Sequence, residues 1–190
     1  MHGPALRVPR SQPPQAARKP STTSHHGVTV TDDYAWLRAT HWQDVMRDPA
    51  LLEPEIRAYL EAENAYTAEA LEDTRALQDT LFQEMKARLK PDDSTVPSPD
   101  GPFAYYSNYV TGGQYPRLCR QTRSGGAEEV ILDGNAEAAG KPYWDLGAAS
   151  HSPDHRLLAY AVDNKGSELY TIHVRDLATG EDLPDVIADT

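Results

Sequence analysis

A repeat in the second half of the sequence constrains the fold more than any other feature. Ser98-Pro99-Asp100-Gly101 recurs as Ser152-Pro153-Asp154-His155, an offset of 152 − 98 = 54 positions. The same offset, without gaps, aligns Phe103 with Leu157, Tyr106 with Tyr160, Gly112 with Gly166, Leu118 with Ile172 and Gly126 with Gly180. A fixed period of this length is typical of repeat architectures, in which each unit buries its apolar face against a neighbouring unit.

Each copy of the repeat is predicted to be a small antiparallel unit that begins with a Ser-Pro-Asp turn. The predicted strands cover residues 103–110, 116–123 and 129–133 in the first copy, and 157–163, 169–177 and 186–187 in the second. The period slightly exceeds the roughly 40–50 residues of a propeller blade. We therefore expect a longer connecting loop, for which Gly134 to Pro142 is the candidate.

The first half of the sequence has helical rather than strand periodicity. Pro54 suits the first position of a helix, and a second helix is predicted to end before Pro91. The apolar residues of the two helices are Ile56, Tyr59, Leu60, Ala62, Tyr66, Ala70 and Leu71, and then Leu77, Leu81, Phe82, Met85 and Leu89. Helical spacing disappears after Pro91, which places a domain boundary near residues 90–95.

Three segments follow from these patterns. Residues 1–23 carry four basic and no acidic residues with five prolines, and are predicted to be a disordered basic tail. Residues 24–92 are predicted to form a helical segment. Residues 93–190 are predicted to form about the first two antiparallel blades of an incomplete β-propeller. The predicted fold class is therefore α+β in several parts, a helical arm followed by propeller blades.

The composition excludes several classes of partner. The 190 residues carry a formal net charge of −11, which makes nucleic acid an unfavourable partner. The acidic balance is typical of a soluble surface, and a surface that attracts cationic peptides is the alternative. No run approaches the ~20 apolar residues of a membrane span, so no membrane partner is expected. The single cysteine, Cys119, is expected to be a small core side chain and is compatible with a reducing cytoplasm.

No catalytic or phosphate-binding motif is present in the sequence. A Gly-x-Ser-x-Gly pentapeptide, which exposes the nucleophile of α/β-hydrolases, does not occur. Gly134 to Lys141 differs from a phosphate-binding loop because five residues separate its two glycines where four are required, and Pro142 replaces the hydroxyl residue. The sequence therefore predicts no catalytic residue and no cofactor.

Histidine and acidic groups offer candidate metal ligands, but none is complete. His25-His26 has no third ligand at a recognisable spacing and is interpreted as a solvated loop. His151, Asp154 and His155 lie within five residues, yet side chains in a turn need not converge. An aspartate that bonds its own turn backbone is the preferred interpretation of Asp154. Asp92-Asp93 is interpreted as a turn or a cap. The sequence predicts no metal site.

Six short motifs occur in order along the chain. They are Asp32-Asp33-Tyr34-Ala35-Trp36-Leu37-Arg38, Tyr59-Leu60-Glu61-Ala62-Glu63-Asn64-Ala65-Tyr66, Asp92-Asp93-Ser94-Thr95-Val96-Pro97, Gly112-Gly113-Gln114-Tyr115-Pro116, Leu132-Asp133-Gly134-Asn135 and Ser152-Pro153-Asp154. Over about residues 24–190 this order resembles the N-terminal part of the prolyl oligopeptidase family of serine peptidases. Within the family it is most similar to oligopeptidase B, also called protease II.

The resemblance implies an architecture and a reaction. In this family an N-terminal helical segment packs on an α/β-hydrolase catalytic domain, and a seven-bladed propeller restricts entry to oligopeptides. The catalytic domain carries a Ser-Asp-His triad for acyl transfer, and oligopeptidase B cleaves after Lys or Arg. We therefore expect a truncated, cytoplasmic gating part that lacks the catalytic domain and is inactive alone, with residues 95–190 only marginally stable.

Two other functions stay open at this point. The chain could be a stand-alone, non-catalytic β-repeat module that binds a protein or peptide and covers its strand edges by self-association. It could also be a fragment that complements a separate catalytic chain, in which case mixing the two would restore activity.

Overall fold

The computed structural model describes residues 11–190, so the first ten residues of the predicted tail lie outside the described residues. The described chain divides into two compact units, one that ends at Arg88 and one from Leu89 to Thr190. The first unit combines a β-hairpin with helices, and the second contains two antiparallel sheets. No helix within residues 11–190 combines the length and hydropathy that a membrane span requires.

A β-hairpin is the first regular structure within residues 11–88. Strands β1 (Ser21–His25) and β2 (Val28–Asp32) pair antiparallel. His26 and Gly27 connect them with φ angles of 51° and 79°, as a two-residue turn of the hairpin-favouring type I′ requires. The predicted tail extends to residue 23, whereas the structure places Ser21 to Thr23 in β1. The β-branched residues of the two strands, two in β1 and four in β2, favour this pairing.

Three α-helices, with three short 3-10 helices beside them, follow the hairpin in the described part of this unit. They are α1 (Trp42–Arg47), α2 (Pro54–Ala70) and α3 (Arg75–Ala87). The core of this unit is small, with Ala39 and Ile56 buried and Trp36 packed edge-on against Tyr59 at 6.2 Å between ring centroids. Ile56 is the only buried residue of α2, and α3 buries none. Both helices form where their periodicity predicts them, but most of their apolar side chains stay accessible.

Two sheets, joined through a short helix, make up the second unit. The first sheet contains β3 (Ser98–Asp100), β4 (Phe103–Asn108), β5 (Arg117–Thr122) and β6 (Glu129–Asp133), in that spatial order. The second sheet contains β7 (Asp145–His151), β8 (Leu157–Asp163) and β9 (Thr171–Asp176). Helix α4 (Gly134–Ala138) lies in the predicted connecting loop, and the Asp133 carboxylate caps it by accepting from the Asn135 amide at 2.9 Å.

The sequence repeat is visible in the strand register. Phe103 pairs with Thr122 between β4 and β5, and 54 added to each number gives Leu157 and Asp176, which pair between β8 and β9. The central strand pairs of the two sheets therefore share one register. The last predicted strand of the second copy is reduced to a bridge between Ile172 and Ile187.

The opening strands of the two sheets differ. In the first sheet Ser98 to Asp100 forms β3, and Asp100 pairs with Phe103 across a tight turn at Gly101 and Pro102. In the second sheet the strand ends at His151, and the Ser-Pro-Asp segment forms the turn. The predicted Ser-Pro-Asp turn is thus wrong for the first copy, because Gly101 at φ 53° closes the hairpin in two residues.

The core of the second unit lies between the sheets. Its buried members are Ile131, Leu132, Trp144, Leu158, Tyr160 and Val162. Trp144 is 2% exposed and meets the Tyr115 ring edge-on at 5.0 Å. Cys119 is buried on β5, as predicted, and burial raises the pKa of its thiol to about 11. The thiol is therefore protonated at neutral pH and acts as a packing group.

Candidate functional site

One exposed apolar surface lies on α3. The α3 face consists of Leu77, Leu81, Phe82 and Met85, each between 45% and 59% exposed. Their spacing of three to four residues places them on one side of the helix. A helix that belongs to a complete core normally buries such a stripe. The α3 face is therefore suited to pack against another protein surface.

A second candidate lies in the second unit, where the turns at the start of the two sheets meet. The histidine cluster consists of Asp100 at the end of β3, His151 at the end of β7, and His155 in the turn after β7. The His151 Nε2 atom is 3.3 Å from the Asp100 Oδ2 atom, and the two imidazole rings are 5.2 Å apart. One donor atom from each of the three residues lies within 4.8 Å of the others.

The cluster differs in membership from the group considered in the sequence. His151 and His155 do converge, but their third partner is Asp100 from the first sheet rather than Asp154. The Asp154 carboxylate accepts from the Ser152 hydroxyl at 2.6 Å and from the Arg156 amide at 3.2 Å. These hydrogen bonds lower the pKa of Asp154, with that from Ser152 the largest cause. The predicted role of Asp154 within its own turn is confirmed.

Tyr105 on β4 holds both histidine rings. Its ring stacks on His151 at 4.0 Å between centroids, and its hydroxyl is 2.9 Å from His155 Nδ1. The Nδ1 atom of His151 is 3.2 Å from the Ser152 carbonyl oxygen, to which it can donate. Each imidazole therefore has its Nδ1 atom engaged by a neighbouring oxygen, which orients the ring.

The backbone of His155 is also unusual. Its φ angle is 60°, in the left-handed region that non-glycine residues seldom adopt. Gly101, its equivalent in the repeat, has a φ angle of 53°. A Cβ atom on Gly101 would overlap the His155 ring, so the close approach of these two equivalent turns requires glycine at one of them.

Arg120 fixes the turn from the opposite side. Its guanidinium donates to both carboxylate oxygens of Glu129 at 2.7 Å and to the His155 carbonyl oxygen at 2.6 Å. It also lies 4.3 Å from the centre of the Phe103 ring. The hydrogen bonds to Glu129 raise the pKa of Arg120 and offset its charge next to the cluster.

The other groups considered in the sequence do not assemble in this way. His26 occupies the β1–β2 turn, and within residues 11–190 neither residue of the His25-His26 pair belongs to a group of three candidate ligands. Asp92 and Asp93 are exposed, each 3.9 Å from the Lys90 ammonium group, and Asp93 accepts from the Ser94 amide. Asp100 is the cluster member that the sequence analysis missed. Its position as the equivalent of Asp154, in the facing turn, is the signal that could have found it.

Comparison with known proteins identifies relatives over almost the whole chain. Residues 14–190 match the family described as prolyl oligopeptidase, N-terminal β-propeller domain. The chain is 38% identical to dipeptidyl aminopeptidase BI of Pseudoxanthomonas mexicana, covering 93% of this chain and 26% of that protein. It is 33% identical to protease 2 of Moraxella lacunata, covering 90% of this chain and 24% of that protein.

Solved structures show the same correspondence in three dimensions. Oligopeptidase B from Leishmania major superimposes with a TM-score of 0.81 at 28% identity, covering 93% of this chain and 26% of that one. Oligopeptidase B from Trypanosoma brucei superimposes with a TM-score of 0.78 at 26% identity, with the same coverage. The chain thus spans about a quarter of the length of the relatives it matches.

Proposed function

This chain belongs to the prolyl oligopeptidase family as its N-terminal propeller part, and from this premise we propose that it serves an oligopeptidase B-like serine peptidase. The proposed reaction is hydrolysis of oligopeptides after Lys or Arg. The observation that carries the proposal is the match of residues 14–190, supported by the superposition on oligopeptidase B. The role of this region is to gate access to a catalytic site that other residues of the protein supply.

In the proposed assembly the two sheets are the first two of seven propeller blades. Support comes from the shared register of β4–β5 and β8–β9 and from the apolar core between the sheets. Further blades at a similar spacing would cover the outer faces in the same manner. A closed ring of blades leaves a central channel that peptides can enter and folded proteins cannot.

The α3 face is the proposed docking surface for the α/β-hydrolase catalytic domain. Its four apolar side chains are about half exposed, and α3 contributes no buried residue. The family relatives are much longer than this chain, which leaves room for a catalytic domain in the same protein. Burying the α3 face against that domain would remove apolar surface from water. Each Å² of apolar surface buried in this way stabilises the assembly by about 25 cal/mol.

The charge of the chain suits a basic substrate. Its 29 acidic and 18 basic residues give a net charge of −11, which attracts a peptide that carries Lys or Arg. Long-range attraction of this kind raises the association rate and weakens with added salt.

The gene provides the first test. Reading the DNA beyond codon 190 in all frames should reveal more strand repeats at a similar period and then a Gly-x-Ser-x-Gly motif. An untranslated region with neither would favour the stand-alone binding module instead.

Activity provides the decisive test. The 190-residue chain alone should not cleave peptides that present Arg or Lys, and the complete protein should cleave them in preference to matched peptides with Ala at that position. Cleavage by the 190-residue chain alone, sensitive to a serine-directed reagent, would overturn the proposal. Equal cleavage of the Arg and Ala peptides by the complete protein would overturn the proposed specificity.

A pair of variants tests the docking surface in the complete protein. Leu81→Asp places a charge in the α3 face, whereas Gln83→Asp places the same charge on the opposite side of the helix, where residue 83 is also exposed. Leu81→Asp should lower the unfolding temperature and the activity, and Gln83→Asp should leave both near the wild-type values. Equal effects of the two variants would show that the α3 face does not dock.

A further inference from the structure

We infer that the first unit contains a binding site for an extended peptide with two adjacent basic residues, and that the chain's own N-terminal segment occupies this site. The dibasic clamp consists of Asp33, Trp36 and Glu55, and its occupant is Arg18-Lys19. The assignment of basic oligopeptides as its natural ligands rests on the proposed function, whereas binding of such a peptide does not.

The clamp holds both basic side chains of its occupant. The Arg18 guanidinium donates through Nε to the Asp33 carboxylate at 2.7 Å, and Nη2 pairs with the same oxygen. The Lys19 ammonium group pairs with the Glu55 carboxylate and lies 4.7 Å from the centre of the Trp36 ring. A carboxylate attracts a basic side chain by charge, and an aromatic face adds a cation–π contact. The clamp therefore selects basic residues at two successive positions.

The clamp also contacts the backbone of its occupant. Trp36 Nε1 donates to the Ala17 carbonyl oxygen at 2.8 Å, and the Lys19 amide donates to the Asp33 carbonyl oxygen at 2.8 Å. Main-chain hydrogen bonds of this kind bind an extended peptide whatever its side chains are. They fix the position of the peptide, and the charged pairs supply its specificity.

Other parts of the fold position the clamp. Asp33 directly follows β2, Trp36 lies in the 3-10 helix Ala35–Leu37, and Glu55 lies in the first turn of α2. The Trp36 ring packs edge-on against Tyr59 of the same helix at 6.2 Å between centroids. We therefore expect the clamp to keep its shape when its occupant leaves.

The occupant belongs to a strap, residues 11–20, that runs along α2. The Ser11 amide donates to the Glu69 carboxylate at 3.3 Å near one end of the helix, and Lys19 pairs with Glu55 near the other. The intervening 69 − 55 = 14 helical positions rise about 21 Å. The eight residues from Ser11 to Lys19 cover that distance at about 3.1 Å each in an extended conformation. The strap thus reaches the clamp as an extended peptide.

The contacts of the strap are exposed enough to exchange. None of its residues is buried, and the side chains of Arg18 and Lys19 are 75% and 45% exposed. Exposed ion pairs contribute little to stability and weaken with added salt. The tether gives the strap an effective concentration of the order of millimolar at the clamp. A free peptide should therefore bind weakly to the wild-type chain, and more tightly once the strap has lost its two charges.

The test is a binding titration of the purified 190-residue chain with a fluorescent peptide of residues 13–20. The strap variant Arg18→Gln/Lys19→Gln removes the two charges of the chain's own strap. Fluorescence anisotropy should show that this variant binds the peptide at least about tenfold more tightly than the wild-type chain does. A control peptide with two glutamines in place of Arg-Lys should bind neither chain.

Substitutions added to the strap variant assign the clamp. Asp33→Asn and Glu55→Gln each remove one carboxylate charge, and each should weaken peptide binding by at least about fivefold. The matched control is Glu61→Gln, which removes the same charge from an exposed position of α2 on a different side of the helix. This control should bind the peptide as the strap variant does.

Displacement of the strap in the wild-type chain gives a second readout, which remains decisive if circular dichroism shows that the strap variant does not fold. In the ¹⁵N-labelled wild-type chain, saturating unlabelled peptide should move the amide resonances of Ala17 and Lys19 to random-coil positions. Resonances of α3 should stay unchanged. Strap resonances that do not move would show that residues 11–20 do not exchange, and would overturn the proposal.

Two results of the titration would also overturn it. One is a strap variant that binds the basic peptide no better than the glutamine peptide. The other is equal binding by Asp33→Asn, Glu55→Gln and Glu61→Gln. Binding is measured on a chain that is expected to be inactive, so a failed clamp leaves the proposed peptidase function standing. Equal cleavage of Arg and Ala peptides by the complete protein would likewise leave the measured binding intact.

Discussion

The first and second sheets contain the same tyrosine–carboxylate pair in different electrostatic surroundings. The Tyr106 hydroxyl donates to Glu128 at 2.8 Å in the first sheet, and the Tyr160 hydroxyl donates to Asp182 at 2.7 Å in the second. Both members of the pair follow the repeat, since 160 − 106 and 182 − 128 both equal 54. The pair is therefore a property of the repeated unit.

The arginine that joins each pair comes from a different position. Arg117 contacts Glu128 at 3.1 Å and Asn108 at 3.0 Å, all within the first sheet and its loops. Arg175 contacts Asp182 at 2.8 Å and also Glu137 of α4 at 2.9 Å. Its side chain is 14% exposed, compared with 23% for Arg117.

This difference indicates what each ion pair does. Arg117 joins β4 to the loop before β6 within one sheet, whereas Arg175 links the second sheet to the helix that follows the first. The tyrosine and the acidic residue occur in both copies of the repeat. The position of the arginine decides whether its contacts stay within one sheet or join that sheet to the preceding helix. When an ion pair is more deeply buried, removing one of its two partners costs more folding free energy, because the other charge is left without a partner away from water.

The largest expected difference between the sheets is in the response to losing the arginine. Arg175→Met should lower the free energy of unfolding by about 2–3 kcal/mol, because Asp182 and Glu137 are left without their partner in a partly buried site. Arg117→Met should cost less than about 1 kcal/mol, as is usual for more exposed pairs. Urea unfolding of the two variants measures both values.

The acid side of the titration gives a control for the Arg175 prediction. Burial alone would raise the pKa of Asp182, but hydrogen bonds from Arg175 and Tyr160 hold it below its ordinary value. A lowered pKa stabilises the fold above the unfolded value of about 4 and loses that effect as the pH falls through the folded value. The gap between wild type and Arg175→Met should therefore narrow in acid. An equal loss of unfolding free energy in Arg175→Met and Arg117→Met would contradict the proposed difference between the two arginines. A loss in Arg175→Met that does not change with pH would contradict it as well.

A smaller difference is expected at the turn after the central strand. Asp163 is 2% exposed and accepts from the amides of Lys165 at 2.7 Å and Glu168 at 2.8 Å, which organises the β8–β9 turn. Its equivalent in the first sheet is Tyr109, since 163 − 54 = 109, and Tyr109 is 44% exposed. Asp163→Asn should cost about 1–2 kcal/mol because an amide N–H₂ replaces one buried acceptor. Tyr109→Phe, the matched control, should stay within about 0.5 kcal/mol.

The pH dependence of Asp163 has a definite sign. Burial opposes its ionisation, yet the backbone hydrogen bonds dominate and lower its pKa. Its contribution to stability is thus present above about pH 4 and disappears on acidification. Denaturant unfolding at several acidic pH values should show that the free energy of unfolding depends less on pH in Asp163→Asn than in wild type. Parallel pH dependences would show that ionised Asp163 does not stabilise the β8–β9 turn.

Much of the fold can be predicted from local patterns in the sequence. The 3.6-residue spacing predicts α2 and α3, and the offset of 54 predicts the common register of β4–β5 and β8–β9. Strand β7 could not be predicted in this way, because Gly147 to Ser150 offer small residues without apolar alternation. It forms by pairing with β8 and by the close fit of Gly147 against the Tyr170 ring, which is a tertiary contact.

The candidate site was less accessible from the sequence than the strands were. The spacing of His151 and His155 is visible, but their convergence with Asp100 depends on how two sheets pack side by side. Sequence distance gives no measure of that packing. The Glu128 and Asp182 equivalence, by contrast, was within reach, because extending the same offset beyond the apolar positions would have aligned them.

The smallest predicted effect tests the shared pair itself, by removing one hydroxyl from each sheet. Tyr160→Phe and Tyr106→Phe should each cost about 0.5–1.5 kcal/mol, with Tyr160→Phe the larger, because its hydroxyl also contacts Arg175 at 3.1 Å and its side chain is 3% exposed. The matched control is Tyr109→Phe, whose exposed ring lies outside both pairs. Urea unfolding at neutral pH ranks the three.

Alkaline titration then shows whether the two tyrosines remain equivalent when charged. Burial, followed by the hydrogen bond to Glu128, raises the pKa of Tyr106 to about 12, and burial likewise raises the pKa of Tyr160. A raised pKa stabilises the fold fully below the unfolded value of about 10 and loses that effect as the pH rises through the folded value. Each Phe variant should therefore approach wild-type stability in alkali, and the phenolate absorbance of each variant should lack one of the late-titrating tyrosines of the wild-type protein. If Tyr106 titrates with the exposed tyrosines, its hydrogen bond to Glu128 is not maintained in solution. The two sheets then share their strand register but not the tyrosine–carboxylate pair.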